Sequence, residues 1–275
     1  MSLYNKLDLK YNLEGIEQFP PVLYKFRDWD NSYHQNLLTR QELFISNVEA
    51  LNDPFDGSIV VNLNFMPVSK KDLGNLLGIK DNLSIPLDII LAKANKDFVM
   101  KLDAQIKKSV LNTGVVCFSS SKNNILLWSH YANGHTGFAV GFDTQKLTKA
   151  VGELKLESFI KEIFYTKTYP EINFEYDILK HSNETLLFKA IIESLVTKSS
   201  LWSYEDEVRI LTFAKNKLLV QFPKDCVSEI VIGFKMNDKS VAEIIDIGKN
   251  LYPEAKILRC VKESKTYSIS FEELA

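Results

Sequence analysis

Short runs in which apolar residues alternate with polar ones recur along this chain, and only a few blocks at helical spacing interrupt them. Val22-Leu23-Tyr24-Lys25-Phe26-Arg27 sets the pattern, placing Leu23, Lys25 and Arg27 on one face of a strand. Glu42 to Asn47, Ser58 to Met66, Gly114 to Ser119, Phe138 to Phe142 and Lys161 to Thr166 read as further strands. Helical spacing predicts a short helix over Asn31 to Arg40, a helical insertion over 69–112, clearest from Leu87 to Leu102, and another over 172–201. Within the last of these, Leu186, Leu187, Ala190, Ile191, Ser194 and Leu195 form one apolar stripe.

The final third is the most regular. Glu207 to Phe213 and Lys217 to Phe222 read as an antiparallel pair across the turn Ala214 to Asn216. Glu229 to Phe234, a helix from Asp238 and Lys256 to Val261 read as a β-α-β unit whose two strands are parallel neighbours. Many strands with helices gathered into blocks predict the α+β class, as a single mixed, mostly antiparallel sheet domain with helical insertions. No stretch rich in Pro, Gly or Ser divides the chain, so one domain is expected over 1–275.

Composition narrows the function. Lys and Arg total 33 against 35 Asp and Glu, a net charge of -2, which argues against extensive duplex nucleic-acid binding because that requires a concentrated positive field. With 45% hydrophobic and 25% charged residues, disordered and collagen-like chains are excluded. No cationic leader runs into an apolar stretch and no window has the length of a membrane span, so a cytoplasmic protein without a membrane partner is expected. Cys117, Cys226 and Cys260 are odd in number and widely spaced, which fits a reducing compartment. There is no G-x-G-x-x-G, P-loop, H-E-x-x-H, nucleophile elbow or four-ligand zinc spacing, and no metal cofactor is expected.

Three stretches concentrate chemistry. Cys117-Phe118-Ser119-Ser120-Ser121 is followed by Trp128-Ser129-His130-Tyr131-Ala132-Asn133-Gly134-His135. If Trp128 to Tyr131 is a helical turn, Trp128 and Tyr131 share a face and His130 points elsewhere. His130 or His135 could serve as a hydrogen-bond donor or general base beside an aromatic platform, or the rings could be core anchors and the histidines loop bridges. In Trp202-Ser203-Tyr204-Glu205-Asp206-Glu207-Val208-Arg209, a strand beginning by Glu205 would put Glu205, Glu207 and Arg209 on one face. That arrangement could orient a ligand hydroxyl and stabilise a developing cation, or could be a solvated strand entrance with a Glu207 to Arg209 ion pair. Asn52-Asp53-Pro54-Phe55-Asp56 reads as a tight turn that packs Phe55, with a ligand-facing role for Asn52, Asp53 or Asp56 as the alternative.

Taken together, the Asn-Asp-Pro-Phe-Asp element at Asn52 to Asp56, Cys117 to Ser119, Trp128 to Phe138 and Trp202 to Arg209 resemble the bacterial domain-of-unknown-function family DUF2971, over roughly residues 22–265. That resemblance implies kinship and no activity. The order of Lys25 or Arg27, Ser119-Ser120-Ser121 and Glu205-Asp206-Glu207 also resembles that of an ADP-ribosyltransferase. This likeness implies an enzyme acting on NAD, in phage defence or as a toxin, with a protein or nucleic-acid acceptor. It implies catalysis by Glu207, with Glu205 and His130, and NAD held by Lys25, Arg27, Ser119, Tyr131 and Trp128. Two other classes stay open. One is a non-catalytic module that binds a small-molecule ligand or a partner. The other is a metal-dependent hydrolase or nuclease using Asp53, Asp56, His130 and His135.

Overall fold

A computed structural model describes residues 18–64, 87–154, 158–175, 183–213 and 216–274. In chain order the elements are β1 (Val22–Arg27), α1 (Ser32–Thr39), β2 (Glu42–Ile45), β3 (Val60–Asn64), α2 (Leu87–Asn112), β4 (Gly114–Ser119) and α3 (Ile125–Tyr131). There follow β5 (Phe138–Asp143), α4 (Thr144–Glu153), β6 (Ser158–Glu162), β7 (Phe164–Thr166), β8 (Glu171–Glu175), α5 (Asn183–Val196) and β9 (Thr197–Ser199). A tight helical turn, Ser200–Glu205, precedes β10 (Glu207–Thr212), β11 (Leu218–Gln221), β12 (Val227–Ile232), α6 (Asp238–Leu251), β13 (Lys256–Lys262) and β14 (Ile269–Glu273).

Eight strands form one mixed sheet in the order β14-β13-β12-β5-β1-β4-β10-β6. Every pairing is antiparallel except β12 with β13, which run parallel across the α6 crossover as the β-α-β spacing predicts. The fold is therefore α+β with a mostly antiparallel sheet. Helix starts follow local chemistry. Asn31, Asn124, Asp143 and Asn237 each accept a backbone N–H of the first turn that follows, satisfying donors the helix itself cannot pair.

One face of the sheet carries a continuous core. Leu23, Phe118, Phe138, Phe142, Val208 and Ile230 lie in it with Leu37 and Leu38 of α1, Leu147 of α4 and Ile244 of α6. The opposite face is divided. Around α3, Tyr24, Phe26, Trp128, Ala139, Val231 and Leu258 pack together, while Ile106 and Val110 of α2 and Ala190 and Leu195 of α5 pack on Val115 and Leu211. Buried polar residues gather on β1, β4 and β10: Lys25, Ser119, Glu207 and Arg209.

Several expectations are corrected. Glu207 to Phe213 and Lys217 to Phe222 are not partners: β10 lies between β4 and β6, and β11 pairs with β2 in a separate two-stranded sheet. Both strands alternate correctly, but burial on both faces of β10 required long-range neighbours rather than the nearest run. Lys161 to Thr166 is two strands, broken at Ile163 between β6 and β7. The second insertion begins inside a strand, β8, which pairs in parallel with β3. Helix α5 ends at Val196, short of the expected limit at 201. Residues 65–66, 69–86, 176–182 and 214–215 of the expected strand, insertions and turn lie outside the described residues.

Candidate functional site

The site begins with a departure from regular pairing. Strand β1 meets β5 at six positions, from Val22 with Asp143 to Arg27 with Phe138. On its other side it meets β4 only where Tyr24 faces Ser119. Past that pinch the two strands separate. Ser46, just after β2, takes up the far end of the free β4 edge by exchanging backbone hydrogen bonds with Val115, at 3.0 and 2.9 Å. Between pinch and bridge, the carbonyl of Cys117 accepts from the Lys25 ammonium at 2.7 Å, so a side chain fills a place that a strand amide would otherwise fill.

The parted seam opens into a cavity of about 350 Å³, at the small end of ligand pockets. One wall is cationic. Lys25 and Arg27 of β1 and His34 of α1 line it, with Phe44, Ser46 and Phe118 nearby. The Arg27 guanidinium donates to the carbonyl of Phe26 at 3.2 Å, and no ion pair of Lys25 or Arg27 is present among the described residues. Burial, then the neighbouring Arg27 charge, pulls the Lys25 pKa down to about 7, and burial pulls Arg27 down to about 10. Burial and then Arg27 also lower His34, whose Nδ1 is buried without a partner.

The other wall is a network of buried charge. Asp206 takes a left-handed conformation, φ 43°, between the Ser200–Glu205 turn and β10, so Glu205 is carried off the strand. Glu205 nonetheless joins Glu207 through Lys198 of β9, whose Nζ donates to Glu205 Oε2 at 2.5 Å and to Glu207 Oε2 at 3.1 Å. Arg209 Nε donates to Glu207 Oε1 at 2.7 Å, and its two terminal nitrogens hold Asp56 at 2.7 and 2.9 Å. Arg209 Nη1 also donates to the Leu195 carbonyl at 2.8 Å, which ties the C-terminal end of α5 to the site. Tyr131 donates to Glu205 Oε1 at 2.5 Å and accepts from Asn52 at 2.8 Å.

Electrostatics explain why such a cluster survives burial. Desolvation opposes ionisation of Glu207, but Arg209, then Lys198 and the Cys117 thiol, outweigh it and hold its pKa near about 2. Burial likewise opposes the charge on Lys198 and on Arg209, yet the facing carboxylates keep both above their ordinary ranges. Burial and then the Glu205 hydrogen bond push the Tyr131 phenol well above its usual value, and burial and then Glu207 push the Cys117 thiol up. At neutral pH the cavity therefore presents an ionised Glu207, a neutral Tyr131 phenol and the Cys117 thiol on one wall, and Arg27 beside a readily neutralised Lys25 on the other.

The structure gathers most of the sequence candidates and separates the rest. Lys25, Arg27, Asn52, Asp56, Ser119, Tyr131, Glu205, Glu207 and Arg209 all line the cavity. Glu207 and Arg209 share a strand face as their spacing predicts, and their ion pair is buried rather than solvated. Trp128 does not reach the cavity. It is fully buried, edge-on to Phe26, with its indole N–H on the Lys122 carbonyl. His130 is exposed on the outer side of α3, its ring 6.2 Å from that of Tyr204. His135 adopts φ 74°, contacts Ser129 Oγ at 3.1 Å and packs on Phe234, away from the cavity. Asp53 closes its turn by accepting from the Phe55 N–H at 2.9 Å and leaves its second oxygen buried and unpartnered. Asp53, Asp56, His130 and His135 thus do not assemble into a shared ligand set, and among the described residues no cluster of His, Cys, Asp and Glu is placed to hold a metal.

The comparison with known families bears directly on this region. A family model described as "Protein of unknown function (DUF2971)" matches residues 127–210. The DUF2971 resemblance is supported. The matched segment runs from α3 through β10 and so supplies Tyr131, Lys198, Glu205, Glu207 and Arg209, while Lys25, Arg27, Asn52, Asp56 and Ser119 precede it. No curated protein and no solved structure matches the chain. Among the described residues, no helix is long and apolar enough to cross a membrane.

Lys198 is the residue that sequence reasoning missed. It sits on a three-residue strand directly after α5, too short to show a period, and only its paired carboxylates reveal it. A lone lysine between an apolar stripe and the Glu205 stretch was the available signal.

Proposed function

We propose that this cavity binds a ribose-phosphate ligand and that the chain is an ADP-ribosyltransferase-like enzyme acting on NAD. The observation that carries the reading is convergence: Arg27, Ser119, Tyr131, Glu205 and Glu207, drawn from separate segments, line one cavity with cations at one wall and carboxylates at the other. Arg27, without a carboxylate of its own among the described residues, is suited to a phosphate, with Lys25 gaining its proton as the anion arrives. Ser119 lines the cavity at the pinch between β1 and β4, and its hydroxyl, which donates to the Ser121 carbonyl at 3.1 Å and accepts from the Ser121 N–H at 3.2 Å, would exchange that local contact for the ribose.

The roles of the two glutamates exchange under this reading. Both Glu207 oxygens are already taken by Arg209 and Lys198, so Glu207 is a positioning residue that fixes Lys198. Glu205 accepts one hydrogen bond at each oxygen, from Tyr131 and Lys198, against three from Arg209 and Lys198 at Glu207, and so keeps more acceptor capacity for a ribose hydroxyl. As the bond to nicotinamide breaks, nicotinamide leaves with the electron pair and positive charge develops at the ribose carbon and ring oxygen. A fixed carboxylate beside that charge lowers the barrier without reorganising. The acceptor then forms the new bond at that carbon and gives up its proton to water.

The test is release of nicotinamide from NAD by purified protein, with water, peptides and single-stranded nucleic acid offered as acceptors. Release that Glu205→Gln abolishes supports the reading. Absence of release together with no NAD-induced rise in melting temperature overturns it. A second reading, a non-catalytic binding module, draws on the ion pairs that already satisfy Glu207 and Asp56, and it predicts an NAD-induced rise without release. A role in phage defence or as a toxin would follow from NAD consumption and would show as falling cellular NAD on expression.

A further inference from the structure

Lys25 carries an inference separate from NAD turnover. It is an interior lysine, 8% exposed, on the cavity wall, with no ion pair among the described residues. Its Nζ donates to the Cys117 carbonyl at 2.7 Å and stands 5.4 Å from the centre of the Phe118 ring. One N–H is thereby oriented, and an amine held by a single hydrogen bond keeps its lone pair free for the cavity. Arg27 lies on the same strand face and lines the same space. A desolvated amine beside a second cation is the arrangement that makes lysine a nucleophile at neutral pH.

We propose that Lys25 is an imine-forming amine that captures small phosphate-bearing aldehydes or ketones, with Arg27 as the phosphate contact. In the fraction of complexes whose Lys25 stays neutral, a fraction that bound phosphate reduces and rising pH restores, the Nζ lone pair forms a C–N bond to the carbonyl carbon, and the carbonyl oxygen departs as water with the two amine hydrogens, leaving an imine. No oxidant or reductant enters this step. The groups whose charge bears on Lys25 come from four elements. Arg27 of β1 and His34 of α1 favour the neutral amine, and Cys117 of β4 and Glu207 of β10 favour the ammonium. Burial, then Arg27, outweigh the other two and lower the Lys25 pKa.

The experiment is reductive trapping on the intact wild-type chain with glycolaldehyde phosphate and cyanoborohydride, followed by peptide mapping. The prediction is labelling of Lys25 at least about tenfold faster at pH 7 than of the solvent-exposed Lys239, with inorganic phosphate slowing it and unphosphorylated glycolaldehyde labelling it more slowly. The labelling rate of Lys25 should rise with pH through about 7, whereas exposed lysines rise near their ordinary range. Labelling of Lys25 no faster than Lys239, or a rate indifferent to phosphate, overturns the proposal. Because the reaction contains no NAD, its outcome is distinct from that of the nicotinamide assay: trapping without nicotinamide release leaves this proposal standing alone.

Discussion

The two sides of β1 solve the same problem in opposite ways. Toward β5 the ladder is complete and the packing is close: Gly141 lies opposite Tyr24, and a side chain there would come within 2.9 Å of the tyrosine ring. Toward β4 the ladder holds at a single pair, and the missing backbone partners are replaced by Lys25, Ser46 and a cavity. The first side is an apolar interior that gains from area removed from water. The second is a polar interior in which Glu205, Glu207 and Asp56 meet Lys198 or Arg209, while Lys25 and Arg27 meet only backbone carbonyls among the described residues. A sheet can give up a ladder locally when side chains satisfy the exposed backbone groups, and the space released here is the cavity.

The two sides differ in how a mutation does its damage. Arg209→Met leaves Glu207 and Asp56 buried without their shared cation, and should cost about 3–5 kcal/mol, read as a loss of unfolding free energy in urea. Replacing Arg209, Glu207 and Asp56 together by apolar residues of similar size should be much less costly than Arg209→Met alone, which would show that the loss comes from uncompensated charge. On the apolar side, Leu23→Ala, at a fully buried core position, should cost about 2–5 kcal/mol through lost burial and an unfilled cavity. If Arg209→Met costs under about 1 kcal/mol, the polar wall is solvated and the contrast between the sides fails.

Acid should distinguish the sides as well. Glu207 has its folded pKa lowered to about 2, so its contribution to stability is complete above the unfolded carboxylate range and is lost as pH falls from about 5 toward 2. In Glu207→Gln that loss of stability in acid should shrink, as followed by urea titrations at stepped pH. Lys25 acts with the opposite partner chemistry. Its folded pKa is lowered to about 7, so between pH 7 and the unfolded lysine range the unfolded chain binds the extra proton and stability rises with pH. Binding of an anion favours the protonated amine, and affinity should fall by up to about tenfold per pH unit above 7.

The smallest effect expected is at His130. It is exposed and outside the cavity, so His130→Ala should change stability by less than about 0.5 kcal/mol and leave ligand affinity unaltered.

The same contrast explains what could be read from the chain. Alternation placed β1, β4, β5 and β10, and the crossover length placed β12 beside β13, because periodicity records which face is buried. Helical spacing at Trp128 to Tyr131 correctly sent His130 away from the face of its neighbours. Alternation carries no record of a strand's neighbours, so proximity in sequence pairs β10 with β11 where the structure pairs it with β4 and β6. It also carries no record of a left-handed residue such as Asp206, which moves Glu205 off the strand while Lys198 returns it to Glu207. The contact of Asp56 with Arg209 spans 153 residues and lies beyond any local pattern, although both residues stood out among the polar stretches.

The account rests on the parted seam being an anion-binding cavity, and calorimetric titration of NAD into the wild-type chain and Arg27→Met tests it most directly. A lost charge-assisted contact is worth about 1.5–3 kcal/mol, so Arg27→Met should bind at least about tenfold more weakly. Equal affinity in the two proteins, or no binding to the wild type at all, would contradict the account.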